Sequence, residues 1–218
     1  MSTKKILIAV PCMDQVAAPF AHSLASIAKP KDSECVIKML CGSLIYDSRN
    51  KLAADAVKME ADYILWIDAD MVFNADALNI LMQDLDQGAD IASGLYFRRA
   101  QPYTPVAFDK IEIHEDGGPA SFENYSGPLS GITEVGGVGF GFVLMKTDVI
   151  LDCLGKYGTC FTPLAGFGED LSFCWRARQQ GYKIMLDANF KLGHVGHVVI
   201  TEDFYKAFNG GPRNESKS

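Results

Sequence analysis

Four short apolar runs, separated by segments of helical character, dominate the first hundred residues. Lys5 to Val10 (KILIAV) reads as a buried strand, and Cys35 to Leu40 (CVIKML), Tyr63 to Ile67 (YILWI) and Ile91 to Tyr96 (IASGLY) each have the length and apolar content of a strand. Between them lie three helical segments. Phe20 to Ala28 is closed by Pro30, Asn50 to Met59 carries apolar residues at 3.6-residue spacing, and a third helix runs from a cap at Asn74 to about Leu85. Strands that alternate with helices over such short connections pair in parallel, through crossovers that cover both faces of the sheet. The expectation is therefore an open α/β unit.

Beyond Arg99 this regularity fails. Residues 100 to 135 hold Pro102, Pro105, Pro119 and Pro128 together with several glycines, which predicts loops and short hairpin strands. A core strand at Phe140 to Met145, a short helix at Thr147 to Leu154, a helix at Asp170 to Gln180 and a strand at Lys183 to Leu186 follow. The polar end, GGPRNESKS, reads as a disordered tail over residues 209–218. There is no internal repeat and no linker, so one domain is expected, and 218 residues with 48% hydrophobic content can bury a core without staples. The six cysteines show no CxxC spacing, mostly sit inside apolar runs, and read as buried free thiols rather than as disulfides or a zinc site.

Charge excludes one class of partner. The net charge is -7 and the basic residues are scattered, whereas a nucleic-acid binder needs a basic face to neutralise phosphates. The apolar run in MSTKKILIAVPC is cut short by Pro11 and Asp14, before a secretory signal is complete. No stretch reaches the roughly 20 apolar residues of a membrane helix, so a soluble, cytoplasmic protein is expected.

The chemistry is concentrated first in DYILWIDADMVF, where an apolar strand ends in Asp68 and Asp70. Ligands of open α/β sheets collect beyond the carboxyl ends of the strands, and residues i and i+2 of a strand point to one side. Both carboxylates can then face one ligand. Two unpaired anions this close repel, so the arrangement is stable chiefly with a divalent cation or several donors between them; hard oxygen ligands favour magnesium or manganese, which favour phosphate. The plain alternative is that DAD begins a loop and that Asp70 or Asn74 caps the next helix. An EF-hand is excluded, because the loop lacks its glycine and has Asn79 in place of the closing glutamate. The same stretch also resembles the first motif of haloacid-dehalogenase-type phosphatases, with Asp68 as nucleophile and Asp70 as acid/base. That family carries the motif on its first strand, whereas two strand–helix units precede it here.

Several separated segments, taken in order, carry a broader resemblance. VPCMD, SRNKLA, ADYILWIDADMVF, VGGVGFGFVLMKTDV, GFGEDLSFCWRARQQGYKIMLD and LGHVGH, from Lys4 to His197, resemble the GT-A fold glycosyltransferases, particularly family-2-like members of bacterial and phage type. The resemblance implies an α/β GT-A fold with a central, mostly parallel mixed sheet flanked by helices in a single domain, residues 1–208. Residues 1–99 would be the nucleotide-binding half, and residues 100–208 would complete the acceptor and metal sites.

Residue roles follow from the same resemblance. Pro11, Cys12, Met13 and Asp14 would pack against the base, and Arg49 and Asn50 would approach the nucleotide; read without it, Arg49 is a surface residue and Asn50 a helix cap. Asp68 would contact the ribose or the water shell of a Mn2+ or Mg2+ ion, and Asp70 would ligate that ion where it bridges the diphosphate. His194, in its HxG context, would complete the metal site, with His197 as the substitute. Glu169 and Asp170 stand where first-turn acids satisfy a helix dipole. In inverting relatives a carboxylate there takes the proton from the acceptor hydroxyl, a role that falls to Asp170 with Glu169 orienting it. In a retaining enzyme Asp170 would bind the acceptor instead.

The glycines of GGVGFG lack GxGxxG spacing and precede a strand, which excludes a Rossmann site; they are expected to let backbone pass close to a donor sugar. Trp66, Tyr96 and Phe97 read as core or acceptor-wall residues. The functional expectation is a metal-dependent transfer of sugar from a nucleotide diphosphate, a UDP-sugar, to a hydroxyl on a glycan, protein or small molecule. A phosphatase built on Asp68 and a non-catalytic sugar-nucleotide binding module are the alternatives. A sugar-1-phosphate nucleotidyltransferase is disfavoured because the first loop lacks a glycine-rich triphosphate signature.

Overall fold

The computed structural model describes residues 3–42, 44–113 and 120–196. The first half alternates as its sequence pattern requires: β1 (Lys4–Cys12), α1 (Ala18–Ser26), β2 (Ser33–Cys41), α2 (Ile45–Lys58), β3 (Tyr63–Ile67), a short β4 (Met71–Val72), α3 (Ala77–Asp86) and β5 (Ile91–Leu95). Then come β6 (Ala107–Glu112), β7 (Ser121–Asn124), β8 (Ile132–Glu134), β9 (Gly137–Val138), β10 (Phe142–Lys146), α4 (Thr147–Tyr157), α5 (Glu169–Arg178), β11 (Ile184–Lys191) and β12 (Gly193–His194). The tail at residues 209–218 lies outside the described residues.

The main sheet has seven strands in the order β2-β1-β3-β10-β5-β11-β8. Strands β2, β1, β3, β5 and β11 run one way, and β10 and β8 run against them. The sheet is thus mixed and mostly parallel. Residues Ile6 to Val10 of β1 are at most 1% exposed, an unbroken apolar run of the kind that a strand covered on both faces demands. Strand alternation sorts that run between two cores. Leu7, Ala9, Ile64 and Trp66 join residues of α2, α4 and α5 on one face, while Ile6, Ile8, Val10, Leu65 and Ile67 join those of α1 and α3 on the other.

One strand breaks the simple doubly wound pattern. β10, from the second half, lies antiparallel between β3 and β5, with Leu144 opposite Leu65 on one side and Ala92 on the other. Helix boundaries also correct two expectations. α2 starts at Ile45, so Asn50 stands inside the helix and does not cap it; α3 has Asp76, not Asn74, at its N-cap position. The cysteines are free; Cys153, Cys160 and Cys174 are buried as expected, whereas Cys12 and Cys35 are partly exposed and Cys41 is exposed, because they lie on or beside the edge strand β2. Among the described residues no helix is long and apolar enough to cross a membrane.

Candidate functional site

The parallel strands deliver the ends of β1, β3 and β5 to one edge of the sheet, and the DAD turn leaves β3 there. Its backbone is held at both ends: Asp68 donates its N–H to the Gly141 carbonyl at 2.9 Å, and Met71 donates to the Asp68 carbonyl at 3.2 Å. Strand β12 pairs with β4, setting His194 opposite Met71, and the Val195 N–H reaches the Asp70 carbonyl at 2.8 Å. Residues far apart in the chain are thereby clamped together.

Beneath the turn lies Arg49, from the second turn of α2, with its side chain only 2% exposed. Its Nη2 donates to Asp68 Oδ1 at 2.7 Å, and its Nε stands 3.4 Å from Glu169 Oε1 at the start of α5. The guanidinium lies 5.8 Å from the Trp66 ring and 5.1 Å from the Phe140 ring, close enough for the cation to meet aromatic π-density from both. Buried Nε and Nη1 have no hydrogen-bond partner among the described residues. Arg49 is therefore not a surface residue; it lines the cleft as a buried cation that draws the DAD turn and α5 together.

Each aspartate has its own arginine, so donors stand beside both carboxylates, as two anions this close require in the absence of a cation. Burial pushes the Asp68 carboxyl above its ordinary range; Arg49 opposes this, and the neighbouring Asp70 and Glu169 reinforce it. For Asp70 burial also acts upward, but His194 and Arg99 outweigh it and hold the carboxyl low. Arg99 Nη1 sits 2.5 Å from Asp70 Oδ2, and His194 Nε2 lies 3.6 Å from Asp70 Oδ1.

The His194 ring is oriented from behind. Its Nδ1 lies 2.9 Å from the Phe97 carbonyl, which can only accept, so Nδ1 carries a proton and Nε2 faces Asp70. Contact with Asp70 raises the affinity of the imidazole for a second proton, burial lowers it, and the net direction is up. Among the described residues no group of three or more His, Cys, Asp or Glu side chains is gathered as a metal site. The donor set of Asp70 and a carbonyl-anchored imidazole nevertheless fits Mn2+ or Mg2+ chemistry, on condition that the half-exposed Arg99 gives way.

Asp170 stands in the first turn of α5, after Glu169 and an N-cap glycine, Gly168. The Leu171 N–H donates to Asp170 Oδ1 at 2.7 Å, which favours the carboxylate. Burial and the adjacent Glu169 outweigh it and push the carboxyl up to about 6.

These groups line one cleft of about 900 Å3, within the usual range for small-ligand sites. Its lining includes Pro11, Cys12, Met13 and Asp14 from the end of β1, Arg49 from α2, Asp68 and Asp70 from the DAD turn, Glu169 and Asp170 from α5, and His194 from β12. Burial, with Cys41 at its side, raises the Cys12 thiol to about 11. Asn50 is not in the cleft: its Oδ1 accepts from the Phe161 N–H at 2.9 Å and the Cys160 N–H at 3.3 Å, tying down the loop before α5. His197 lies outside the described residues.

Gly139 and Gly141 approach protein rather than open cleft. A Cβ on Gly141 would stand 2.7 Å from Tyr96 Cζ, and one on Gly139 would meet the Tyr96 hydroxyl. Tyr96 Oη in turn accepts the Gly141 N–H at 3.0 Å. The sequence pattern missed Arg98 and Arg99 as lining groups. Their signal was positional: both lie just past the end of β5, on the same edge as Asp68.

No protein-family profile matches the chain, and no curated protein does. Solved structures do. The A197 protein from STIV is 17% identical over 91% of this chain and 98% of its own, with a TM-score of 0.59. GalNAc-T7, solved with UDP, GalNAc and Mn2+, is 9% identical over 94% of this chain, also at a TM-score of 0.59. The match spans 47% of the GalNAc-T7 chain. At these identities the likeness carries the fold: the chain has a GT-A-like α/β architecture.

Proposed function

We propose that the chain is a divalent-metal-dependent glycosyltransferase that moves a sugar from a nucleotide diphosphate, a UDP-sugar, to a hydroxyl acceptor. The observation that carries this reading is the meeting, in one cleft at the carboxyl ends of the parallel strands, of Asp70 with His194 and of a proton-hungry Asp170. GalNAc-T7, which shares the fold, was solved with UDP, GalNAc and Mn2+ in the same crystal structure.

Under this reading residues 1–99 hold the nucleotide and residues 100–208 complete the metal and acceptor sites. Pro11 to Asp14 border the base. Asp70 and His194 Nε2 would hold Mn2+ or Mg2+, with Asp68 next to them. When bound, such an ion stabilises the negative charge that develops on a departing diphosphate. Asp170 accepts the proton of the attacking hydroxyl: with its carboxyl near 6 it is mostly ionised at pH 7, yet basic enough to drive proton transfer. Glu169, held by Arg49, keeps negative charge beside Asp170 and sustains that basicity.

UDP titrated calorimetrically with and without Mn2+ tests the reading. Binding that requires the metal and is abolished in Asp70→Asn is the expected result. Equal UDP affinity with and without metal overturns metal dependence, and turnover of an aryl phosphate that is lost in Asp68→Asn would favour the phosphatase.

A further inference from the structure

Two arginines serve the two aspartates of the turn in contrasting ways. Arg49 is 2% exposed and fixed between two rings, whereas the Arg99 side chain is 52% exposed and Asp70 beside it 26%. An ion pair this accessible to water is weak and readily exchanged. The backbone that carries Arg99 is anchored around it: the Phe97 carbonyl accepts from His194, and the Arg98 N–H donates to the Thr104 carbonyl at 3.0 Å. The side chain can therefore swing without moving the lip of the cleft.

Arg99 Nη1 approaches Asp70 Oδ2 while His194 Nε2 approaches Oδ1 of the same carboxylate. A cation bound by Asp70 and His194 must then displace the guanidinium, since two positive centres cannot share that carboxylate without mutual repulsion. The displaced guanidinium remains on the wall of the cleft, next to Arg98. A diphosphate is the ligand whose charge and paired oxygens match a planar fork of N–H donors.

We propose that Arg99 is an exchangeable counter-cation: it neutralises Asp70 in the free protein, yields that carboxylate to a divalent ion, and closes on the diphosphate of the arriving nucleotide. This rests on the proposed function and adds to it a diphosphate-binding residue and an order of exchange. The exchange predicts effects of opposite sign from one substitution. Removing Arg99 frees Asp70 and tightens metal binding, while it strips a charge-assisted contact from the diphosphate.

The test uses the full chain and two probes, Mn2+ alone and UDP at saturating Mn2+, both followed by equilibrium titration. Arg99→Gln is expected to bind Mn2+ alone about two- to fivefold more tightly than the unaltered chain, the range of an exposed ion pair. It should bind UDP at saturating Mn2+ about tenfold more weakly, the range of a charge-assisted hydrogen bond. Arg99→Lys, which keeps the charge without the fork, should restore the Mn2+ affinity and recover only part of the UDP affinity. Arg99 is exposed, so these variants fold, and matched thermal melts check it. If the unaltered chain binds UDP but Arg99→Gln moves both affinities in the same direction, or leaves either unchanged, the exchange is wrong and the proposed function stands. If the unaltered chain binds no UDP at saturating Mn2+, both fall.

Discussion

Replacing Asp170 by asparagine is expected to make the protein more stable at neutral pH. Burial and the neighbouring Glu169 raise the Asp170 carboxyl from the ordinary 3.8 to about 6. A raised carboxyl means that the folded chain binds this proton more tightly than the unfolded chain. Between about pH 4 and pH 6 the native state therefore holds more protons at this site, and stability falls as pH rises through that window. A rise of about two pH units corresponds to roughly 3 kcal/mol of penalty, fully present above pH 6.

The amide side chain would remove the charge and keep an oxygen for the Leu171 N–H, now at 2.7 Å from Oδ1. Asp170→Asn should thus gain about 2–3 kcal/mol at pH 7.5 and lose that gain by pH 4, while it removes the base needed for transfer. Urea unfolding of both chains at intervals from pH 4 to pH 8 measures the difference, in which other titrating groups cancel. A variant no more stable than its parent at pH 7.5, or one whose advantage persists undiminished at pH 4, refutes the reasoning.

Arg49→Met should cost about 2–3 kcal/mol in denaturant unfolding, the low side for breaking a buried pair, because Asp68 keeps 34% of its side-chain exposure and can be partly rehydrated. The same variant should titrate Asp170 at higher pH, since Arg49 now lowers it, and an unchanged Asp170 titration followed by NMR would contradict the assigned contact. Burial and Asp187 raise Asp84 to about 6, and its Oδ2 lacks a hydrogen-bond partner among the described residues. Asp84→Asn should stabilise the fold by about 1–3 kcal/mol at pH 7.5 and by nothing near pH 4, because the raised carboxyl penalises folding only above that window; a destabilised variant at pH 7.5, read by thermal melting, counts against it.

Much of the first half was legible because its signals are local. Apolar runs such as YILWI have a period and a length that name a strand without reference to the rest of the chain, and β3 begins and ends where that run does. The start of α2 was not legible: Leu44 occupies the N-cap position and makes no side-chain cap, so no capping residue marked the boundary and Asn50 was mistaken for one. The glycines of GGVGFG announced a close approach, but only the packed Tyr96 ring shows what is approached.

By itself, then, the sequence determined the alternating strands and helices and the acids in the first turn of α5. These depend on backbone period and on neighbours a few residues away. The tertiary structure alone decided that β10 would enter antiparallel between β3 and β5, that Arg49 would be buried against Asp68 and Glu169, and that Arg99 and His194 would both reach Asp70. Such pairings join residues far apart in the chain, and their energies arise from desolvation and charge proximity, which exist only once the strands have closed the sheet around them.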